Sequence, residues 1–182
     1  MRASPTFAAL DFETAHHARD SACALAVIRV EAGEIVAREV RLIRPPRRER
    51  FLFTEIHGIT PADVARAPRF AEVWPRFTPL LEGVDFLAAH NAAFDRGVLG
   101  ASLARVGLPP PTAPFLCTVR LARAAFQIFP TKLPDVCRQL KIPLQHHDPA
   151  SDAEACARIV IQAAAAGAEL KIAHPSLEEA VP

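Results

Sequence analysis

The chain has 182 residues, of which 51% are hydrophobic and 23% are charged. This length and composition suffice for one domain with a buried core that needs no stabilising disulfides. Lysine and arginine number 21 against 20 acidic residues, a formal net charge of +1, which excludes a strongly basic nucleic-acid arm and an acidic disordered tail. A polyanion would have to be bound by locally arranged charge or by metal ions.

Cysteine spacing and the first residues bear on the compartment. The four cysteines form no C-x-x-C pair, and no basic and then apolar leader opens the chain, so we expect a reduced, cytoplasmic protein. The alanine run over residues 163–166 is far too short to span a bilayer. We therefore expect no membrane association.

In the first half of the chain, apolar runs predict strands over residues 6–12 and 23–30. Alternating hydrophobic and charged residues over 35–43 predict a half-exposed third strand in a meander. The proline- and arginine-rich residues 44–50 predict a loop. Thr60 followed by proline marks a helix start, and helical spacing over 70–81, interrupted by two prolines, predicts a bent helix.

The second half alternates short strands with helices. Strands are predicted over 86–89 and 115–117, and helices over 92–106, 118–126, 131–140 and 149–166. Thr131 is the expected cap of its helix, and Phe94 is placed on the apolar face of the helix over 92–106. This order predicts an α/β fold with a mixed central sheet, an antiparallel meander followed by parallel strands, flanked by helices. We expect one domain over 1–166 and a short C-terminal tail over 167–182.

Three clusters of polar residues carry the candidate chemistry. The first, Asp11-Phe12-Glu13-Thr14, closes the first predicted strand. Because residues two apart on a strand face the same side, Asp11 and Glu13 would present two carboxylates together. Oxygen ligands so arranged suit Mg²⁺ or Mn²⁺. Two solvated acids where a strand meets a turn would give the same pattern.

The second cluster, His90-Asn91-Ala92-Ala93-Phe94-Asp95, lies where a predicted strand ends and a helix begins. Asn91 is placed to cap that helix, and His90 with Asn91 could simply tie the turn together. Asp95 lies beside an apolar face, where a carboxylate needs a partner such as a metal ion or its water shell.

The third cluster comprises His146-His147-Asp148-Pro149 and, after two further residues, Asp152 at the start of the last predicted helix. Small neighbours would let Asp152 reach toward the sheet. His147, five positions earlier in what should be a mobile loop, is suited to act as a general base because imidazole titrates near neutral pH. A surface histidine and a helix N-terminal acid are the plain alternative.

Taken in order, the three clusters resemble the motifs of the DEDDh 3'-5' exonucleases, the DnaQ-like group of the ribonuclease H-like fold. The resemblance covers about residues 7–161. Two marks between the clusters support it: His57-Gly58-Ile59-Thr60 is similar to the family's H-G-I-T turn, and Cys117-Thr118 with Leu121-Ala122-Arg123 is similar to its strand leading into a helix.

The resemblance implies roles for five residues. One metal ion, held by Asp11, Glu13 and Asp152, would bind the attacking water, and His147 would remove its proton. A second ion, bridged by Asp11 and held through water by Asp95, would stabilise the leaving 3'-oxygen. The cofactors would thus be two Mg²⁺ or Mn²⁺ ions, and the product a nucleoside 5'-monophosphate. His146 is a second imidazole beside the expected base, but the spacing to Asp152 favours His147.

Substrate contacts are expected beside the motifs, from Phe12, Thr14, His57 and Phe94, the last as a stacking surface or as part of the core. Loop arginines 44, 47, 48 and 50 could follow a phosphate backbone. Residues 15–19 replace the Gly-rich turn that proofreading members usually have, which leaves contacts to the terminal nucleotide open.

We therefore expect a metal-dependent 3'-5' exonuclease acting on single-stranded DNA or RNA 3' ends, in proofreading, repair or RNA trimming. An oligoribonuclease-like enzyme for short oligomers and a catalytically silent nucleic-acid-binding module are the alternatives. The short tail makes stable association with a polymerase unexpected, and an exposed edge strand in the meander could pair two copies.

Overall fold

The fold was taken from a computed structural model that describes residues 4–46 and 50–172. It contains five strands and seven helices within those residues. The strands are β1 (Phe7–Thr14), β2 (Ala22–Glu31), β3 (Glu34–Leu42), β4 (Phe86–Ala89) and β5 (Phe115–Cys117). The helices are α1 (Thr54–His57), α2 (Pro61–Val64), α3 (Phe70–Leu81), α4 (Ala92–Arg105), α5 (Thr118–Phe126), α6 (Leu133–Leu140) and α7 (Pro149–Ala165).

The strands form one mixed sheet in the order β3-β2-β1-β4-β5. Both pairs of the meander are antiparallel, and β4 runs parallel to β1 and to β5. The meander turns at Ala32 and Gly33, whose φ values of 50° and 83° match the hairpin turn that follows the twist of the strands. The predicted mixed sheet is confirmed.

Helices cover the sheet on both faces. On one face α5, α6 and α7 pack on side chains such as Phe7, Ala9 and Ile28. On the other, α3 and α4 pack on alternate residues such as Leu10 and Leu25. Because β1 is buried on both faces, its sequence is almost uniformly apolar until Asp11. Any polar side chain from this point of β1 therefore lies in a partly enclosed space.

Some element ends differ from the predictions. Strand β1 continues to Thr14, so Glu13 lies within a paired strand rather than after it. Helix α6 begins at Leu133 with Lys132 before it, and Thr131 is not its cap, because the Thr131 side chain instead accepts a hydrogen bond from Arg123. Helix α3 continues through both prolines, and its predicted bend stays a prediction. Four buried side chains lie on its sheet-facing side: Phe70, Val73, Trp74 and Phe77.

The first residues of the predicted C-terminal tail, 167–172, include side chains that pack on the core. Ala168, Leu170 and Ile172 pack against the core on the α7 face, because hydrophobic side chains here can cover the end of that helix. Residues 173–182, like the loop arginines 47 and 48, lie outside the described residues. None of the helices described is long and apolar enough to cross a membrane.

Candidate active site

Strand β1 brings two carboxylates to the face of the sheet that α7 covers. Asp11 and Glu13 alternate with Leu10 and Phe12, which point into the opposite core. In the pairing with β2 they lie opposite Ala26 and Ala24. Such small neighbours leave room above the strand for the carboxylates and for whatever they bind.

The first turn of helix α4 brings in the third carboxylate, Asp95. Asp95 is only 2% exposed, and its Oδ1 accepts a hydrogen bond of 3.1 Å from the backbone N–H of Phe12. Burial raises the pKa of Asp95 to about 7, against the lowering effect of that hydrogen bond. The buried acid is therefore tied to the strand that carries the other two.

Asn91 does not cap α4 as predicted. It occupies the position before the helix, but it has a left-handed backbone (φ 74°) and its side chain makes no capping hydrogen bond. His90 does tie the turn: its Nε2 lies 2.9 Å from the Thr131 carbonyl, which can only accept, and its Nδ1 lies 2.8 Å from the Thr118 hydroxyl. Both nitrogens of His90 are thus used within the fold.

The start of α7 supplies the fourth carboxylate. Asp148 precedes the helix and accepts a hydrogen bond of 2.8 Å from Ser151 N, while Pro149 fills the first helical position. One turn further on, Asp152 is 5% exposed and points back over the sheet. Its Oδ2 lies 3.0 Å from His146 Nδ1 and accepts from the backbone N–H of His147 at 3.1 Å.

Two histidines stand beside Asp152. The rings of His146 and His147 stack with centroids 3.8 Å apart. It is the ring of His146, however, that bonds the carboxylate, whereas His147 does so only through its backbone. The pKa of His147 is lowered by burial and by the neighbouring His146, so its imidazole is neutral around neutral pH. Their loop is held to the helix, since Gln145 N donates to Ser151 Oγ at 2.7 Å.

The carboxylates are crowded enough to need a cation. Oxygens of Asp11, Glu13 and Asp152 lie within 4.8 Å of one another. Burial, followed by the charges of Asp152 and Asp95, raises the pKa of Glu13 to about 8, and burial with the charges of Asp95 and Glu13 raises the pKa of Asp11 well above its usual value. Asp152 Oδ1 is buried and has no hydrogen-bond partner. An all-oxygen set with an unpaired buried acceptor fits Mg²⁺ or Mn²⁺.

The side chains of the four predicted substrate contacts differ in solvent exposure. The side chains of Phe12 and Thr14 are buried, at 3% and 4% exposed, so we do not expect either to touch a substrate. Phe94 is 38% exposed. Its assignment to the apolar face of α4 was wrong, because that face is formed by Val98, Leu99 and Leu103 without it.

His57 fastens the H-G-I-T turn to the end of β1. Its Nδ1 accepts from the backbone N–H of Ile59 at 3.0 Å, which leaves Nε2–H to donate to the Thr14 carbonyl at 3.1 Å. Burial lowers the pKa of His57, so this neutral form is favoured. Its role as a substrate contact stays a prediction.

Two residues at the site, Asp148 and His146, were not predicted from the sequence to act there. Asp148 adds negative charge that raises the pKa of both Asp11 and Glu13. The Asp-Pro pair at 148–149 is the sequence signal that could have identified it, because this pair is typical of a helix N-terminus. The spacing to Asp152 predicted that His147, and not His146, lies beside the carboxylate. Which of two stacked rings meets a carboxylate depends on loop backbone angles, such as the φ of 69° at His147, which the sequence does not display.

A sequence model of the RNase T exonuclease family matches residues 8–160, from the second residue of β1 into α7. The chain belongs to this exonuclease family. The match spans all four carboxylates and both histidines, so the membership predicted from the three clusters is confirmed.

Two relatives of this exonuclease chain are PolC-type DNA polymerases III. That of Bacillus cereus is 31% identical over 166 residues, covering 89% of the chain and 12% of the polymerase. That of Oceanobacillus iheyensis is 34% identical over 154 residues, covering 82% and 11%. The chain thus spans about 12% of the length of the curated relatives it matches.

Solved exonuclease structures share the fold. Exonuclease X, in complex with 5' overhanging duplex DNA, superimposes with a TM-score of 0.72 at 27% identity, covering 90% of this chain and 95% of that one. The nuclease domain of 3'hExo, a DEDDh family member bound to rAMP, gives 0.79 at 19% identity, covering 93% and 96%. The ribonuclease H-like fold predicted from the sequence is confirmed.

Proposed function

We propose that this exonuclease removes nucleoside 5'-monophosphates from the 3' ends of single-stranded DNA or RNA, using two Mg²⁺ or Mn²⁺ ions. The observation that carries the proposal is the convergence of four carboxylates from β1, α4 and α7, whose pKa values are all raised by burial and, for Asp11 and Glu13, also by the charges of neighbouring carboxylates. A fold gains nothing in stability from such a cluster unless cations neutralise it. A catalytically silent binding module would not need it.

The proposed roles follow from the donor atoms. Asp11, Glu13 and Asp152 would hold one ion, and Asp95, kept in place by the Phe12 N–H, would act on a second together with Asp11. When bound, the ions would supply the charge that activates a water nucleophile and stabilises the transition state of phosphodiester cleavage.

His147 is the proposed general base. Its pKa is lowered by burial and by His146, so the imidazole is free to accept a proton at neutral pH. Its backbone N–H donates to Asp152, which fixes the loop that carries the ring beside the cluster. A base held next to the carboxylates can take a proton from a water that they position.

Single-stranded ends are favoured by the exposed ring of Phe94, one residue before Asp95. An aromatic face stacks on a base without regard to sequence. Exonuclease X was solved in complex with 5' overhanging duplex DNA and the nuclease domain of 3'hExo with rAMP, which supports both DNA and RNA as substrate classes. The curated relatives are PolC-type DNA polymerases III, which supports a proofreading role.

The test is a cleavage assay on 5'-labelled single-stranded DNA and RNA, from dinucleotides to about 30-mers, with Mn²⁺ or Mg²⁺. We expect a ladder that shortens from the 3' end and the release of 5'-monophosphates. Asp11→Asn should abolish it, and His147→Gln should slow it by about 10² to 10⁴ while divalent-ion binding persists. Glu55→Gln, an exposed acid on α1, is the matched control and should leave the rate unchanged.

Internal cleavage, or an undiminished rate for Asp11→Asn, would overturn the exonuclease mechanism. Activity confined to the shortest oligomers would favour the oligoribonuclease-like alternative. Binding of single strands without cleavage in either metal would favour the silent module. Loss of metal affinity in His147→Gln would make this residue a ligand rather than the base.

A further inference from the structure

Three arginines from separate elements line one small cavity on the face of the sheet that α3 and α4 cover. Arg44 follows β3, Arg69 precedes α3, and Arg105 ends α4. Among the described residues, Asp20 is the one carboxylate that lines this cavity. This arginine cleft therefore carries an excess of positive charge, although the formal net charge of the whole chain is only +1.

Two hydrogen bonds join the segments that carry Arg44 and Arg69. The backbone N–H of Arg44 donates to the Pro68 carbonyl at 2.9 Å. In the other direction, Arg69 Nη1 donates to the Pro46 carbonyl at 3.4 Å. The fold thus keeps like charges together at one place, where they repel one another. An anion bound among them would relieve this repulsion.

The cleft has donor groups that the protein leaves unpaired. The side chain of Arg44 is exposed and makes no hydrogen bond or ion pair with the described part of the chain. Ser102 also lines the cleft, is 4% exposed, and has a hydroxyl without a hydrogen-bond partner among the same residues. Because an unpaired buried donor is costly, a ligand oxygen that reaches it would gain a hydrogen bond.

The chemistry of the cleft favours a phosphate group as its ligand. A guanidinium presents a planar fork of N–H donors that matches the oxygens of a phosphate, and such charge-assisted bonds are short and strong. The cavity measures about 130 Å³, less than the roughly 300–1,000 Å³ of sites that enclose a whole small molecule. A phosphate that belongs to a longer chain fits this space better than an enclosed metabolite.

The loop over residues 15–21, which follows β1, connects the cleft to the active site. Arg19 Nη1 donates to the carbonyl of Phe94 at the start of α4, and Asp20 accepts from Arg105 at its end, at 3.2 and 2.8 Å. The helix rises about 16 Å between Phe94 and Arg105. A stacked single strand covers this distance with about five nucleotides.

We propose that the arginine cleft binds the phosphate backbone of the substrate strand about five nucleotides from its 3' end. The 3'-terminal nucleotide then lies at the oxygen cluster, which comprises Asp11, Glu13 and Asp152. The identity of the strand rests on the proposed function. The cleft gives the enzyme a preference for longer strands, because a strand of two or three nucleotides fills the active site without reaching the arginines.

The test compares strands that can and cannot reach the cleft. Binding of a fluorescein-labelled trinucleotide and of an oligothymidylate of about 12 nucleotides is followed by fluorescence anisotropy, with Mg²⁺ and in the Asp11→Asn background to prevent cleavage. Arg44→Gln should weaken binding of the long strand by about fivefold and leave that of the trinucleotide unchanged. The plot of log affinity against log salt for the long strand should become less steep by about 0.7.

Arg76→Gln is the matched control, because Arg76 is an exposed arginine of α3 that does not line the cleft. It should bind both strands like its parent, whereas Arg69→Gln should act in the same direction as Arg44→Gln. Melting curves verify that all variants fold.

Hydrolysis gives a second readout when Asp11 is intact. Arg44→Gln should raise the KM for the long strand by about fivefold at unchanged kcat and leave hydrolysis of the trinucleotide unaltered. A purely structural role of Arg44 would not produce this dependence on strand length.

Equal affinity of Arg44→Gln and its parent for the long strand would overturn the assignment. So would an equal loss with the trinucleotide or in Arg76→Gln. Tighter binding of a polyglutamate peptide than of the long strand, lost in Arg44→Gln, would assign the cleft to an acidic protein instead. If long strands bind through Arg44 but no strand is cleaved, the cleft stands and the proposed function fails.

Discussion

Asp152 has two oxygens with different surroundings. Oδ2 meets the histidine loop through His146 and the backbone of His147, while Oδ1 is buried without a hydrogen-bond partner. An ionised buried oxygen in this state is costly unless a cation approaches it. Burial raises the pKa of Asp152, which is the response expected of the metal-free protein. One side chain thereby links the oxygen cluster to the histidines.

Phe94 allows a prediction at the scale of a single residue. Because its ring is 38% exposed, Phe94→Ala should change the free energy of unfolding by about 1 kcal/mol or less. If the ring stacks on a base, its loss should weaken substrate binding by about 1–3 kcal/mol, seen as a raised KM with a smaller change in kcat. Phe129, 66% exposed between α5 and α6, is the control, and an equal rise in KM for Phe129→Ala would contradict the assignment.

How far the site could be predicted depends on how local each contribution is. Asp11 and Glu13 follow from strand periodicity, and Asp152 from its place at a helix start. The hydrogen bond from Phe12 N to Asp95 joins residues 83 positions apart, so no local pattern displays it, and only the family resemblance placed Asp95 with the other carboxylates. The exposure of Phe94 depends on how α4 lies against the sheet, and helical spacing alone wrongly predicted that this side chain belongs to the apolar face.

Among the elements, the strands and long helices were predictable because their apolar runs are continuous and their ends carry caps or glycines. The short helix α1 was not predicted. No side chain caps its first turn. Two large hydrophobic side chains are exposed here, Leu52 just before the helix and Ile56 within it. Its position instead depends on His57 bonding to the end of β1, a tertiary contact that no local pattern displays.

Helix α4 is fastened to the loop over residues 15–21 by Arg19, and this allows a prediction at the element scale. Arg19 Nη1 donates to the carbonyls of Ala93 and Phe94 at 3.2 Å. A Cβ on Gly97 would lie 1.9 Å from that nitrogen, so Gly97→Ala must displace the arginine. The gain of about 1 kcal/mol expected for alanine in a helix should therefore be offset in the wild type and recovered in Arg19→Ala.

A double-mutant cycle in urea unfolding measures this coupling. Gly100, also in α4, is the control because a Cβ there meets nothing within 4 Å. Gly100→Ala should stabilise both backgrounds equally. A full gain from Gly97→Ala with Arg19 present would show that the arginine does not hold the loop to α4.

At the scale of the whole molecule, the near-neutral net charge conceals an uneven distribution. Four of the 20 acidic residues converge on one end of β1, and neutralising them with divalent ions leaves an excess of lysine and arginine over the rest of the chain. Attraction of a nucleic-acid backbone would thus depend on prior metal binding.

The same crowding predicts a pH dependence of stability for the metal-free protein. The pKa of Glu13 rises from 4.5 to about 8 on folding, so the native state holds a proton that the unfolded state releases between these values. Its stabilising contribution is present below pH 4.5 and is lost as pH rises toward 8. In EDTA, Glu13→Gln should therefore be more stable than wild type at pH 8, by on the order of 2 kcal/mol.

Urea unfolding at several pH values checks this prediction. The advantage of Glu13→Gln should shrink toward pH 5, and Mg²⁺ or Mn²⁺ should raise the stability of the wild type at pH 8 through binding to the native state. Exposed Glu55 serves again as the control through Glu55→Gln. A difference between Glu13→Gln and wild type that stays constant from pH 5 to 8 would contradict the raised pKa.

The site draws on both ends of the described fold, with Asp11 on the first strand and Asp152 on the last helix. During synthesis, the ribosome must release nearly the whole domain before α7 can pack on β1 and complete the set of carboxylates. A nascent or truncated chain that ends before residue 146 lacks both histidines and one of the four carboxylates at once. The order of elements along the chain thus completes the proposed metal site only when nearly the whole described fold has been made.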